Sequence, residues 1–371
     1  MKYLVYPFSN SNYVIKDTLA YYASDIDIIE YVTPKTWIRN ISNDTDVTTD
    51  FYGKLTSVDS VIFLNSFNNK YMYEDILEKM MHCIECGKDI ICCTPIKSSD
   101  LKTIEQKTKE KRVAFIYYGI PKMDYFKRRV FQDQDCIVIG IGNMLNGLDD
   151  FTIISQLVYR YRVKGYRVTA VSTNSNSGLL GFLPFPIEVL TEDSLPYAEK
   201  IKTLNSFFNN IQVLHQPDIL IVQLPYGMIK CTDICVEDFG VNAFIVSQSL
   251  NIDYFILNTP LEELDTFSFE EMKKAFKYRF GIPLTAIGVE NKYINYTDSN
   301  EEESIIYEKA DEKDVQNYVN FLKSANNEDI YYFNIQSTSE YDMLIEHSIN
   351  LLSGEEWHGK KWYFKKSGEM Y

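Results

Sequence analysis

The chain has 371 residues, with 52 Asp and Glu against 37 Lys and Arg, for a formal net charge of −15. That length supports two domains with substantial cores, or three if the tail folds separately. The acidity argues against general affinity for nucleic acid or for an anionic membrane. Tyr (28) and Phe (22) are abundant in an otherwise ordinary globular composition.

The first elements alternate strand and helix. KYLVYPF reads as a short strand, and MKYLVYPFSNSNYVIKD turns polar too early for a signal peptide. Residues 13–22 suggest a helix, and DIDIIEYV from Asp25 a second strand closed by Pro34. SVIFLNS from Ser60 has strand length, and YEDILEKMMHCIECG from Tyr73 predicts a helix ending at Gly87. DIICCTP from Asp89 and VAFIYYGIP from Val113 complete the series. A lysine-rich exposed helix lies between them, around Thr103 to Arg112. These strands are continuous apolar runs, as in a parallel sheet covered on both faces.

A second series starts at Asp135. CIVIGIG is a strand, Asp149 to Lys164 a helix and YRVTAVST from Tyr166 a strand. Tyr197 to His215 is helical, and PDILIVQLPYG from Pro217 is a strand with a tight turn behind it. AFIVSQ and DYFILNT read as further strands, followed by the helix SFEEMKKAFKYRF and the strand IPLTAIGV. The acidic stretch TDSNEEES, Thr297 to Ser304, reads as a loop. DEKDVQNYVNFLKS is then helical, IYYFNIQ a strand and EYDMLIEHSINLLSG a helix.

The end, WHGKKWYFKKSGEMY, sets Trp357 and Trp362 among lysines. This suits a terminal strand that packs its rings on the body or docks a partner. No run reaches the roughly 20 apolar residues that span a bilayer. Seven scattered cysteines fit a reducing compartment, so a cytoplasmic protein is expected.

The expected fold class is α/β. An N-terminal Rossmann-like domain (residues 1–133) precedes a phosphate-loop-NTPase-like parallel-sheet domain with a degenerate loop (134–296). A C-terminal α/β extension (297–371) would close or cap the second domain. The first boundary should lie near Arg129 to Gln134.

The degenerate loop follows CIVIGIG. A working phosphate loop supplies backbone N–H groups from a glycine-rich turn, a lysine for the β/γ-phosphates and a hydroxyl for Mg²⁺. Gly142-Asn143-Met144-Leu145-Asn146-Gly147 keeps the two glycines at the right separation, one turn of strand past Gly140. Leu148 and Asp149 then stand where Lys and Ser/Thr belong. Leu cannot pair with phosphate, and Asp149 and Asp150 favour a helix N-terminus but repel a triphosphate. Ordinary ATP hydrolysis is therefore not expected. The loop amides remain able to hold a carboxylate or other small anion, and Asp149 could assist a metal, although no metal is expected.

In an open α/β sheet the carboxyl ends of the strands share one crevice. Two further stretches could meet the loop there. VSTNSNSGLLGFLPFP from Val171 leaves a strand through Thr173, Asn174 and Ser175. PDILIVQLPYG brings Gln223, Tyr226 and Gly227 to the end of a buried strand, where a nucleotide enzyme presents an acidic metal ligand.

At these stretches the chain resembles the accessory proteins of clostridial-type peptide maturation systems. Those are encoded beside a small precursor peptide, a radical-SAM maturase and an acyl-carrier-related protein. The likeness lies in LVYPFSNSNYVI, CIVIGIGN with QLVYRYRVKGYRVTAVST, GLLGFLPFPIEVL, LNSFFNNIQVLHQPDILIVQLPYGMIK and DFGVNAFIVSQSLNIDYFILNT, in an order that covers most of the chain. That family is in turn similar to phosphate-loop proteins of the dethiobiotin-synthetase type. This chain departs from the pattern in having Leu183 for a histidine in the GF-x-x-FP segment, and no lysine near the loop.

The resemblance implies a non-hydrolytic accessory role, binding precursor peptide, maturase or carrier protein, with no cofactor. Two alternatives stay open. One is a nucleotide-dependent ligase or switch with magnesium, using a substitute lysine such as Lys164 or Lys230. The other is a small-molecule binding module.

The remaining constellations are weaker. Cys83 and Cys86, with Cys92 and Cys93, read as buried thiols, because adjacent strand residues point to opposite faces. Cys231 and Cys235 could face one another on a helical turn. None of the four histidines, His82, His215, His347 and His358, has a recognisable catalytic partner in sequence.

Overall fold

The computed structural model describes residues 2–9, 12, 14–16, 28–38, 41, 46–65, 70–118, 134–261, 263, 266–325 and 330–353. Contacts divide the chain into two compact units, Met1–Met123 with Ser172–Pro184, and Asp124–Val171 with Phe185–Tyr371. The described part of 297–371 thus belongs to the second unit. The boundary expected near 129–134 falls at the edge of the described residues, and the tail with Trp357, His358 and Trp362 falls outside them.

The first unit holds β1 (Lys2–Tyr6), β2 (Ile28–Val32), β3 (Val47–Thr48), β4 (Ser60–Phe63), β5 (Asp89–Cys92) and β6 (Phe115–Tyr117). They form one parallel sheet in the order β3-β2-β1-β4-β5-β6, the strand order of a Rossmann-like fold. The helix Lys70–Glu85 buries Met72, Ile76, Met80, Cys83 and Ile84. Their spacing of three and four makes one stripe, which packs against Leu4, Val61, Phe63 and Ile90 of the strands. Each such fully buried aliphatic side chain contributes about 1.5–3 kcal/mol. The lysine-rich helix spans Ser98–Lys111 and buries only Ile104 and Thr108, as its composition predicts.

The second unit is built on β7 (Ile137–Asn143), β8 (Val168–Ser172), β10 (Ile219–Gly227), β11 (Tyr254–Thr259), β12 (Ala286–Val289) and β15 (Tyr331–Asn334). With the two-residue β9 (Leu183–Pro184) the sheet order is β15-β12-β11-β7-β10-β8-β9. The pairings from β15 to β8 are all parallel. A separate antiparallel pair, β13 (Lys292–Ile294) and β14 (Tyr307–Lys309), stands beside it. The expected α/β class holds, with Rossmann-like and phosphate-loop-like parallel sheets. Among the described residues no helix is long and apolar enough to cross a membrane.

Two local readings are corrected. AFIVSQ, rich in β-branched and aromatic residues, is not a strand but lies in the helix Val241–Ser247. Asp238 accepts from the backbone N–H groups of Gly240 and Asn242 (both 3.2 Å), so start chemistry overrides β propensity. TDSNEEES is not all loop. Residues Tyr296–Glu301 form a short helix whose N-cap, Asn295, accepts from the Asp298 N–H at 3.1 Å. Of the helix expected over 13–22, only 14–16 are described, and they are helical.

Candidate functional site

The loop after β7 is set up by sequence as expected. Asp149 caps the helix Asp150–Val163, accepting from the Thr152 backbone N–H at 3.0 Å and its hydroxyl at 2.6 Å. Arg160 and Arg162 sit in the last turn, where cations favour the dipole. Gly147 takes φ +83°, open only to glycine without strain. Leu148, in the lysine position, is buried.

Beneath the loop lies a buried polar cluster at the carboxyl ends of four strands. Asp150, fully inside, accepts from Asn143 Nδ2 at 3.1 Å and from Gln223 Nε2 at 2.6 Å. Asn143 Nδ2 also donates to the Leu148 carbonyl, while its Oδ1 accepts from Asn258 Nδ2 at 3.2 Å. Asn258 Nδ2 donates in addition to Glu290 Oε2 at 3.1 Å. Glu290 is 2 % exposed and pairs with Lys292 at 2.6 Å. Asn258 Oδ1, also buried, has no hydrogen-bond partner among the described residues.

Burial, reinforced by the nearby Asp149 and Glu290 charges, pushes the Asp150 carboxyl up to about 8. Burial also raises Glu290, with the Lys292 ammonium pulling the other way. Three acidic side chains therefore face one lysine. The acidic lining disfavours a triphosphate there, and Lys292 is already paired with Glu290.

The loop amides are occupied by the chain itself. The Met144 N–H donates to the Asn258 carbonyl at 2.8 Å. The Gly147 N–H bonds to its neighbour's side chain, Asn146 Oδ1, at 3.1 Å. The Asp149 N–H donates to Glu290 Oε2 at 2.7 Å. Burial raises the Glu237 carboxyl, and the nearby Asn146 backbone and side chain pull it the other way. One carboxylate, Glu290, thus stands on an amide of the kind that cradles phosphate in a working loop. On the outer side, Tyr307 OH donates to the Asn146 carbonyl at 2.7 Å and Lys292 Nζ to the Gly147 carbonyl at 2.9 Å.

The residues expected at the crevice divide into distinct roles. Asn143 and Gln223 join the buried cluster, and Asn146, Gly147 and Asp149 form its exposed and half-buried rim. Gly140 and Gly142 serve packing instead. A Cβ at Gly140 would lie 2.8 Å from Ile252, and one at Gly142 2.5 Å from Met228 Sδ. Gly227 is the close-approach position, since its Cβ would sit 2.8 Å from the Asn146 backbone nitrogen. It re-pairs with Asn143 after a bulge that carries Tyr226 at φ +64°. Thr173, Asn174 and Ser175 fall in the first unit, so the structure does not gather them into this cluster. There Asn174 caps the turn Ser175–Leu180 by accepting from the Asn176 N–H.

Sequence reading passed over Glu290, Lys292, Asn258, Glu237 and Tyr307, and took Asp150 only for a helix-start residue. The substitute lysines do not serve either. Lys164 caps the far end of its helix, some 21 Å along the axis at 1.5 Å per residue. Lys230 is exposed and pairs with Asp233. Lys292 is the lysine that reaches the loop, from a strand in another part of the unit.

His347 Nδ1 bonds Tyr254 OH at 2.8 Å, and His82 approaches Cys86 at 3.5 Å; neither shows a catalytic pairing. Among the described residues no group of three or more His, Cys, Asp and Glu is arranged to hold a metal ion.

No family model matches the sequence, and no curated protein does. Among solved structures the chain is similar to a DUF1611 family protein from Anabaena variabilis ATCC 29413. The TM-score is 0.57 at 8% identity, over 94% of this chain and 99% of that one. A likeness at that identity establishes the α/β fold.

Proposed function

We propose that the chain is a non-hydrolytic accessory protein of a ribosomal peptide maturation system, binding precursor peptide, radical-SAM maturase or acyl-carrier-related protein. The non-hydrolytic half of this reading is supported by one observation above all. The Glu290 carboxylate stands on the Asp149 amide and Glu237 lies near Asn146, while Leu148 replaces the lysine. The maturation context rests on the sequence resemblance, and the net charge of −15 suits a basic segment on the partner.

Calorimetric titration with ATP and GTP, each with and without Mg²⁺, tests the first half. No binding at millimolar nucleotide is expected. Micromolar, magnesium-dependent affinity would sink the reading and favour a ligase or switch. Co-purification with a tagged precursor peptide, maturase or carrier protein tests the second half, and failure with all three removes it.

A small-anion binding module is the second reading. It is favoured by Glu237, whose exposed position lets a competing carboxylate or phosphate reach the Asn146 amide.

A further inference from the structure

The turn from Cys231 to Cys235 follows β10 and is no helical turn, although it does bring the backbones of the two cysteines together. The backbone N–H groups of Cys231 and Thr232 both donate to the Cys235 carbonyl, at 3.2 and 3.1 Å. Thr232 Oγ1 accepts from the N–H groups of Ile234 and Cys235 at 3.2 and 2.9 Å, and donates to Asn300 Oδ1 at 2.6 Å. The turn is therefore clamped at its base, with the backbones of the two cysteines joined across it. Both are free. Cys231 is half-buried and Cys235 buried, so a reagent from solvent meets Cys231 first.

The other cysteines lack this arrangement. Cys83 lies in the last turn of a helix and Cys86 just past its end, and Cys92 and Cys93 are neighbours at the end of a strand.

We propose that Cys231 and Cys235 form a redox-active dithiol, oxidised to an intramolecular disulfide by low-molecular-weight disulfides. In the first step the Cys231 thiolate attacks one sulfur of the oxidant. A mixed disulfide forms and one thiolate leaves. The Cys235 thiolate then attacks the Cys231 sulfur, closing the Cys231–Cys235 bond and releasing the second thiolate. The two protein thiols give up two electrons to the oxidant, and their protons go to the two released thiolates. The backbone bonds across the turn already hold the two residues close together. Burial and the nearby Glu237 and Glu263 carboxylates keep the Cys231 proton bound up to about 11, so exchange is slow and an alkaline medium speeds it. Only one residue, Val236, separates this turn from Glu237, which lies near Asn146 of the loop. The proposal is independent of the accessory role.

The full-length protein is incubated with oxidised glutathione in mildly alkaline buffer, raised until exposed Cys86 is glutathionylated. Free thiols are then alkylated and the peptides weighed. The expected result is loss of both alkylatable thiols at 231 and 235, with their peptide two hydrogens lighter than the reduced form and restored by dithiothreitol. In Cys235→Ser the reaction stops at glutathione on Cys231. In the unsubstituted chain, alkylation of both thiols while Cys86 carries glutathione overturns the proposal. A mixed disulfide at Cys231 that never closes overturns it as well.

Discussion

The two parallel sheets end in polar groups of different kinds. In the first unit the loops past β4 and β5 are held by neutral groups. Thr94 Oγ1 donates to the Leu64 carbonyl at 2.9 Å, and the Asn176 amide straddles Asn65, accepting from its N–H at 2.7 Å and donating to its carbonyl at 3.3 Å. In the second unit the same region of the sheet buries Asp150 and Glu290. Neutral amides satisfied by backbone fix a loop and ask nothing of solvent or pH. Buried carboxylates cost desolvation energy, which only partners or a bound proton can offset. The difference locates the chemically unusual end of the molecule in the second unit.

The strongest way to break this comparison is to remove one member of the buried pair. Glu290→Ala takes the acceptor of the Asp149 N–H and leaves the Lys292 ammonium with only the Gly147 carbonyl and the Asn258 amide with only Asn143 Oδ1. A loss of about 3–5 kcal/mol is expected in urea denaturation. Glu290→Gln keeps the shape and one acceptor, and should cost less. An alanine penalty under about 1 kcal/mol would mean that the cluster is no more demanding than the amides of the first unit.

The next effect is a pH dependence. Asp150 rises from its ordinary 3.8 to about 8, so the folded chain keeps a proton that the unfolded chain releases. That contribution is full below about pH 4, declines as pH rises, and is gone above about pH 8, with a slope of up to ~1.4 kcal/mol per pH unit. Asp150→Asn retains an acceptor for Asn143 and Gln223 and removes the titration. Its stability relative to the parent should therefore grow between pH 4 and 8. Parallel curves for the two proteins would show that the carboxyl is not held protonated.

On the other side of the comparison, Asn176→Ala in the first unit strips both bonds from Asn65. A cost of about 1–3 kcal/mol is expected, the same at every pH in that range. A pH-dependent penalty would place an ionisable group at that end too.

The fold was legible because its strands are continuous apolar runs broken by Gly, Pro and Asp, and parallel sheets impose that pattern. The loop was legible as well: Gly147, Asn143 and the Asp149 cap all stand where local chemistry puts them. The partners of the loop were not. Glu290 and Lys292 lie about 140 residues from it, in IGVENKY, a stretch with no motif of its own. Their meeting with Asp149 and Gly147 follows from the strand order that sets β11 and β12 on one side of β7, and single-sequence periodicity carries no strand order. AFIVSQ failed for a different reason, since Asp238 and Gly240 outside the run decide its state.

The smallest effect sharpens the comparison most. Glu237 is exposed and lies near Asn146 without being buried as Glu290 is. Glu237→Gln removes only an exposed charge, so stability should change by less than about 1 kcal/mol. Titration with inorganic phosphate should remain silent, because Glu290 still holds the Asp149 amide and Leu148 still fills the lysine position. Heat of binding in this variant, and none in the parent, would carry a different lesson. It would mean that a single mobile carboxylate, not the buried cluster, keeps anions off the loop, and the small-anion reading would then displace the scaffold.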